Sequence, residues 1–316
     1  MTRVLTLPGW QSSGPDHWQT HWERLDARVT RVEQDDWEAP RRDAWLTRLR
    51  SKLSVDEPTV LVGHSLGCIL AVHAAGEAPG VVGALLVAPS DPERPGLPDT
   101  LRSFTPVPLR RLPFPSIVVA SRDDEYCTME RSRQYAEAWG ARLIDAGARG
   151  HLNSATKLGT WPEGRAWLSE LLALAPFVLD ARLARDTHVV GESALSLLLL
   201  MNDARYPWFI VVPKRSAVSE VFELEVADQH TLAHESAVLS AAMVSAFSPD
   251  KLNVGALGNV VRQLHVHHVA RTLGDPAWPG PVWGHSPRVE RDEAARRVIV
   301  ERLFAQPALA RVFDQR

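Results

Sequence analysis

Apolar and polar positions fall into two rhythms along the 316-residue chain. Up to about residue 174, short apolar runs alternate with stretches of helical spacing. Residues 4–7, 59–62, 82–87, 117–120 and 142–145 read as strands, and 28–33 alternates polar and apolar as another. Between them the spacing predicts a helix carrying His17, Trp18, His21 and Trp22 and a second over 41–53. Further helices are predicted from Cys68, over 129–139 and through Leu174. Strands alternating with helices predict an α/β domain with a mostly parallel sheet and helices on both faces. Function in such sheets gathers at the carboxyl ends of the strands.

The rhythm changes at Ala175-Pro176-Phe177, which divides the chain into residues 1–175 and 176–316. Residues 197–201 and 208–213 read as a hairpin around the turn Asn202 to Pro207. Residues 231–247 have the spacing of a long amphipathic helix. Residues 252–254 and 263–270 read as strands separated by a glycine turn, Gly255 to Asn259. A tryptophan-rich loop over 278–284 and a charged helix over 292–304 follow. This second pattern predicts an α+β domain built on an antiparallel sheet.

Composition narrows the class without choosing a function. Apolar residues make up 45% and charged residues 23%, enough for a sizeable core. A net charge of −3 argues against nucleic-acid or membrane-surface binding driven by bulk charge. The stretch before Pro8 and Gly9 is too short for a signal peptide, and the apolar run around 197–201 is too short to span a bilayer. Cys68 and Cys127 cannot build a disulfide framework, so reduced thiols in the cytoplasm are expected. Eleven tryptophans could line pockets or fill cores.

Candidate chemistry in the first half begins at Gly63-His64-Ser65-Leu66-Gly67, where a strand turns sharply into a helix. A serine between two glycines at such a turn is a nucleophile elbow. Asp123 or Asp124 follows a later strand and His151 the last one, giving the order Ser…Asp…His of an α/β-hydrolase. Ser65 would attack, His151 would serve as general base and then acid, and the aspartate, Asp124 by preference, would orient the imidazole. The oxyanion hole would use the backbone N–H of Leu66 and one from the Trp10 loop. The bland reading makes the aspartate a helix cap and His151 a loop residue.

Six segments carry a family resemblance: Leu7-Pro8-Gly9-Trp10, Ser13 to Gln19, Glu33 to Trp37, Gly63 to Cys68, Ala120 to Asp124, and Gly150 to Asn153. With them, residues 4 to about 172 resemble the small serine-hydrolase family typified by retinoblastoma-binding protein nine and its bacterial relatives. The family places its acid in an Asp-Pro pair. Glu125 stands in the proline position here, which matches Asp124 and leaves Asp123 open. The resemblance implies a compact α/β-hydrolase, without a large lid domain, active on small esters or amides.

In the second half the chemical centre is Gln263-Leu264-His265-Val266-His267-His268. On a strand, Gln263, His265 and His267 share a face and His268 points away. Such a face could bind a phosphate or a metal, or be a polar sheet face without chemistry. His230 and His234 are spaced for one helix face but lack the glutamate of a zinc-protease helix, and His188 and His285 show no selecting spacing. Metal is therefore the weaker reading, and no cofactor is called for.

The hairpin with Asn202 and Pro207, Asn253-Val254-Gly255 with Gly258-Asn259, and Gln263-Leu264-His265-Val266-His267 are similar to the histidine-triad superfamily of nucleotide hydrolases and transferases. The resemblance covers about 177 to 285. It implies His265 as the nucleophile on the α-phosphorus, His267 at the leaving or bridging oxygen, and Asn202 at the ribose. It also places Asn259 at phosphate, with Asn253 in the nucleotide site. Gln263 replaces the superfamily's first histidine, and its amide would partly replace that histidine's support of His265. A homodimer through this domain is a further implication. The expectation is a serine esterase or amidase fused to a histidine-triad-like nucleotide hydrolase or transferase, acting for example on dinucleoside polyphosphates. The alternatives are a catalytically silent nucleotide-binding or dimerisation module in the second half, or a protein-interaction scaffold in the first.

Overall fold

A computed structural model describes residues 2–96 and 98–316 in two compact units, Met1–Pro176 and Phe177–Arg316. In the first unit β1 (Arg3–Leu7), β2 (Val29–Arg31), β3 (Thr59–His64), β4 (Val81–Val87), β5 (Ser116–Ala120) and β6 (Arg142–Asp145) form one sheet, ordered β2-β1-β3-β4-β5-β6. Every neighbouring pair is parallel, as the alternating pattern predicts. β3 sits between two strands and under helices on both faces, which is why it reads as an unbroken apolar run.

On one face, Leu5, Leu61 and Leu86 pack with α2 (Arg42–Arg50), α3 (Leu66–Ala74) and α4 (Met129–Trp139), through Trp45, Ile69 and Trp139. The helices α1 (Trp18–Leu25) and α5 (Pro162–Ala173) contribute a tryptophan cluster. Trp18 lies 4.7 Å from Trp22 and 5.1 Å from Trp161, ring to ring, and all three are buried. These tryptophans fill core space, and their indole N–H groups tie distant loops: Trp22 donates to Thr160 O and Trp18 to Leu152 O.

In the second unit all strand pairs are antiparallel, in the order β10-β11-β9-β8-β7-β12. The strands are β7 (Thr187–Glu192), β8 (Ser196–Met201), β9 (Trp208–Pro213), β10 (Lys251–Gly255), β11 (Val266–Arg271) and β12 (Asp314–Gln315). A short α6 (Ala181–Asp186) precedes β7, and Leu198, Leu200, Phe209 and Val211 pack with α7 (Val226–Phe247) and α8 (Glu293–Phe304). The alternate residues Leu199, Ile210, Val212 and Val269 pack with Tyr206, Trp208, Ala277 and Val282. The strand period of two puts His267 on this second face and His268 on the first.

Several elements depart from the sequence expectation, and three of the departures bear on the second unit's sheet and histidines. β7 is absent from it because a register shift between Val189 and Gly191 breaks the alternation that would signal a strand. α7 starts at Val226 rather than 231, so His230 and His234 both lie on it, exposed. β11 begins at Val266 rather than 263, because Gln263 and Leu264 bond elsewhere: Leu264 N–H donates to Val218 O at 2.9 Å. Among the described residues, no helix is long and apolar enough to cross a membrane.

Candidate functional sites

β3 delivers Ser65 to the mouth of the first unit with φ 55° and ψ −122°, a conformation that costs on the order of 1–3 kcal/mol for a non-glycine residue. The turn is held by Ser65 N–H donating to Val87 O and by Cys68 N–H donating to Ser65 O, both at 3.0 Å. A Cβ at Gly67 would lie 1.9 Å from Leu7 O, so glycine lets α3 press against the end of β1. A Cβ at Gly9 would lie 2.7 Å from Ser65 Cβ and 3.2 Å from Leu66 N. The Gly9-Trp10 backbone therefore lies directly against the elbow. Leu66 is the first residue of α3, where N–H groups have no intrahelical acceptor.

β5 and β6 bring in Asp124 and His151, the candidate acid and base. His151 Nδ1 lies 2.8 and 2.9 Å from the two carboxylate oxygens of Asp124. A carboxylate only accepts, so Nδ1 carries a proton, and in the neutral ring the lone pair is on Nε2. The two side chains are 6% and 3% exposed, so water competes little for this bond. Asp123 does a different job. Its Oδ1 accepts from Gly150 N–H and from the Ser121 hydroxyl, each at 2.8 Å, fastening the loop that carries His151. Those two bonds, Ser121 first, hold the Asp123 carboxyl below its ordinary range. The capping role falls to Thr128, whose hydroxyl accepts from Arg131 N–H.

Two more imidazoles stand behind His151. His64 Nε2–H donates to His151 O at 2.9 Å, and the His17 ring meets His64 edge-on at 4.6 Å. Burial, reinforced by Arg31, pushes the His17 pKa down to about 3. Burial likewise holds His64 well below its usual value, so both rings stay neutral. Ser65, His151, Trp10, Leu66, His17 and Ser90 line one cavity of about 300 Å³. Among the described residues no hydrogen bond joins the Ser65 hydroxyl to His151, a gap common before substrate is seated.

In the second unit the His265 and His267 rings meet at 4.8 Å, close to edge-on. His265 Nδ1–H donates to the backbone oxygen of Gln263 at 2.6 Å, which in the neutral ring puts the lone pair on Nε2. His267 is arranged the other way: its Nδ1 accepts from Trp208 Nε1–H at 3.0 Å. Burial, with His265 and His268 adding, lowers the His267 pKa to about 3, so the neutral ring carries its proton on Nε2. One lone pair and one N–H therefore stand side by side. His268, on the opposite face, accepts from Ser236 and donates to Val266 O.

Three of the four remaining nucleotide-site candidates are bound up in other contacts. Gln263 uses both ends of its amide on the 178–180 segment, accepting from Asp180 N–H at 2.8 Å and donating to Val178 O at 2.9 Å. The expected amide support of His265 is thus replaced by the residue's own carbonyl. Asn253 accepts from buried Arg271 at 2.8 Å, and Asn202 accepts from Arg291 N–H at 2.9 Å. Asn259 is exposed on the loop after β10. A cleft of about 500 Å³ in this unit, lined by His188, Arg296 and Arg316 among others, includes neither histidine of the pair.

Sequence reading passed over His17, Ser90 and Trp208. His17 had a signal, since it stands before the helix and its Nδ1 accepts from Gln19 N–H as a cap. Trp208 had a weaker one. It faces Val269 in the β9–β11 register, on the His267 side of the sheet. Ser90 had none.

Residues 4–170 match the serine hydrolase family model and 182–273 the HIT domain model. A histidine triad protein from Marinobacter aquaeolei is 49% identical over 43% of this chain and 98% of its own, with a TM-score of 0.42. One from Sinorhizobium meliloti is 46% identical over 41% and 96%, with a TM-score of 0.40. A YdeN-like hydrolase from Pectobacterium atrosepticum is 32% identical over 54% of this chain and 90% of its own, with a TM-score of 0.49. No curated protein matches. With more than half its length under the one family model, the chain belongs to the serine hydrolase family and carries a HIT domain after it.

Proposed function

We propose that the first unit hydrolyses small carboxylic esters or amides through Ser65, His151 and Asp124. The observation that carries this reading is the Asp124–His151 pair, which in the neutral ring puts the lone pair on His151 Nε2, in the cavity that Ser65 enters. Ser65 Oγ would form the new C–O bond while its proton passes to His151 Nε2. The oxyanion would take hydrogen bonds from the Leu66 and Trp10 N–H groups. His151 would then protonate the leaving group, and water would release the acid by the same route reversed. The test is turnover of p-nitrophenyl acetate and its amide analogue. Wild-type protein is expected to hydrolyse at least the ester and His151→Ala to lose that activity; equal rates in both would overturn the assignment.

For the second unit we propose nucleotidyl transfer to His265. The supporting observation is its tautomer, with Nδ1 tied to Gln263 O and Nε2 free. Nε2 would attack the α-phosphorus, and the P–O bond to the leaving phosphate would break. That phosphate departs as an anion while His267 Nε2–H hydrogen-bonds the bridging oxygen. Water would then hydrolyse the nucleotidyl-histidine. Diadenosine polyphosphate is the probe, with AMP release as the readout. Release that persists unchanged in His265→Ala would exclude His265 as the nucleophile; binding without any release would favour a silent nucleotide-binding module.

A further inference from the structure

A histidine that takes a proton from Ser65 becomes an imidazolium, and little around His151 is suited to hold that charge. The His64 ring lies 4.9 Å away with His17 behind it, and burial keeps both neutral. Tyr126 differs. Its ring centroid lies 4.4 Å from that of His151, with 43° between the planes. Rings this close cannot meet edge to edge, so the phenol face and the imidazole overlap. An aromatic face within about 6 Å of a cation attracts it through the ring quadrupole. The Tyr126 backbone is fastened on both sides. Its N–H donates to Asp124 Oδ1 at 2.8 Å, and its carbonyl oxygen accepts from Asp91 N–H at 3.1 Å. Asp124 Oδ1 also lies 2.8 Å from His151 Nδ1, so one carboxylate oxygen ties Tyr126 and His151 together. Both residues line the cavity that Ser65 enters.

We propose that Tyr126 is a positioning residue for His151: its ring holds the imidazole against Asp124 and stabilises the imidazolium that forms as Ser65 gives up its proton. The inference rests on the proposed ester and amide hydrolysis through Ser65 and His151. The attraction is strongest while the imidazole is charged, so it lowers the barrier more than it tightens substrate binding. The ring face carries the effect, and the hydroxyl has no part in it. Burial, with Glu125 and Asp124 adding, raises the Tyr126 pKa, so the phenol stays neutral wherever the imidazole titrates. The other groups facing His151 are Asp124, His64 and His17, with Glu125 and Arg149 along the groove beside it. None of these changes when the Tyr126 side chain alone is replaced.

The test follows p-nitrophenyl acetate hydrolysis against pH. Tyr126→Leu and Tyr126→Met remove the ring, and Tyr126→Phe keeps it. Each ringless variant is expected to lose about three- to five-fold in kcat with little change in KM. The acid limb of its kcat/KM profile is expected to move down by about half a pH unit. The sign follows because an imidazolium deprived of the ring gives up its proton at lower pH. Tyr126→Phe is expected to restore both the rate and the limb. A loss in Tyr126→Phe as large as in Tyr126→Leu, or ringless variants with an unmoved acid limb, overturns the proposal. NMR titration of the His151 ring in Ser65→Ala, with and without Tyr126→Leu, reads the same drop in the absence of turnover. A wild type without turnover, but with that drop present, sinks the Ser65 reading alone. Turnover without the drop sinks the Tyr126 role alone.

Discussion

Asp124 holds His151 by its Nδ1 nitrogen. With both carboxylate oxygens within 2.9 Å of Nδ1, the imidazole is locked in one tautomer and one orientation. Its neighbour Asp123 never reaches the ring and instead bonds the backbone of the loop below it.

These separate jobs predict separate phenotypes. Asp124→Asn inverts the hydrogen-bonding demand on Nδ1 and is expected to lower ester kcat by up to roughly 10⁴-fold with the fold intact. Asp123→Asn keeps an acceptor for Gly150 and should lose about ten-fold or less, an estimate for a displaced rather than missing base. Steady-state kinetics with circular dichroism checks both; a larger loss at Asp123 would reverse the assignment.

The Gln263 amide serves architecture, and the Gln263 carbonyl serves His265. Gln263→Ala is therefore expected to cost about 1–3 kcal/mol of stability, by stranding Asp180 N–H and Val178 O. AMP release by the folded fraction should survive, since the carbonyl remains. Urea titration paired with AMP release separates the two, and normal stability with lost turnover would contradict the arrangement.

Trp208→Phe removes the N–H that His267 Nδ1 accepts, with little change in packing. The ring then loses its fixed tautomer, and AMP release should fall about 10–100-fold, the usual cost of losing an orienting partner. Nitrogen NMR shifts of His267 report the tautomer directly: an unaltered mixture in the variant would show that Trp208 orients nothing.

Acid should destabilise both units. His17 and His267 have folded pKa values near 3 and His268 near 4, against 6.5 when unfolded. Between those values the unfolded chain binds more protons, so stability is full above about pH 6.5 and falls as pH drops toward 3 or 4. Each histidine contributes a loss of about 2 kcal/mol between pH 6.5 and 5. His268→Asn, whose amide can still reach Val266 O, is expected to flatten the pH dependence of urea unfolding by about one proton. A slope equal to wild type would show that His268 does not titrate in this way.

Fold and family were legible in the sequence because β1, β3, β4 and β5 of the first sheet are buried on both faces and stand out as apolar runs. The antiparallel hairpin of 196–213 was legible for the same reason. β7 was not, since its register shift and Gly191 disturb the alternation. At the candidate sites, sequence supplied residue types and order but not direction. It left Asp123 and Asp124 open, because adjacent residues after one strand differ only in the path of the loop. It placed Gln263 on the face of His265 by strand alternation, but the ladder starts at Val266, so that rule does not reach Gln263.

The central claim is that Ser65 is an activated nucleophile. Intact-mass spectrometry after exposure to a fluorophosphonate tests it most directly. Wild-type protein should gain the mass of one phosphonyl adduct, mapped by peptide analysis to Ser65, and Ser65→Ala should gain none. An unmodified wild type, or an adduct that persists in Ser65→Ala, would contradict it.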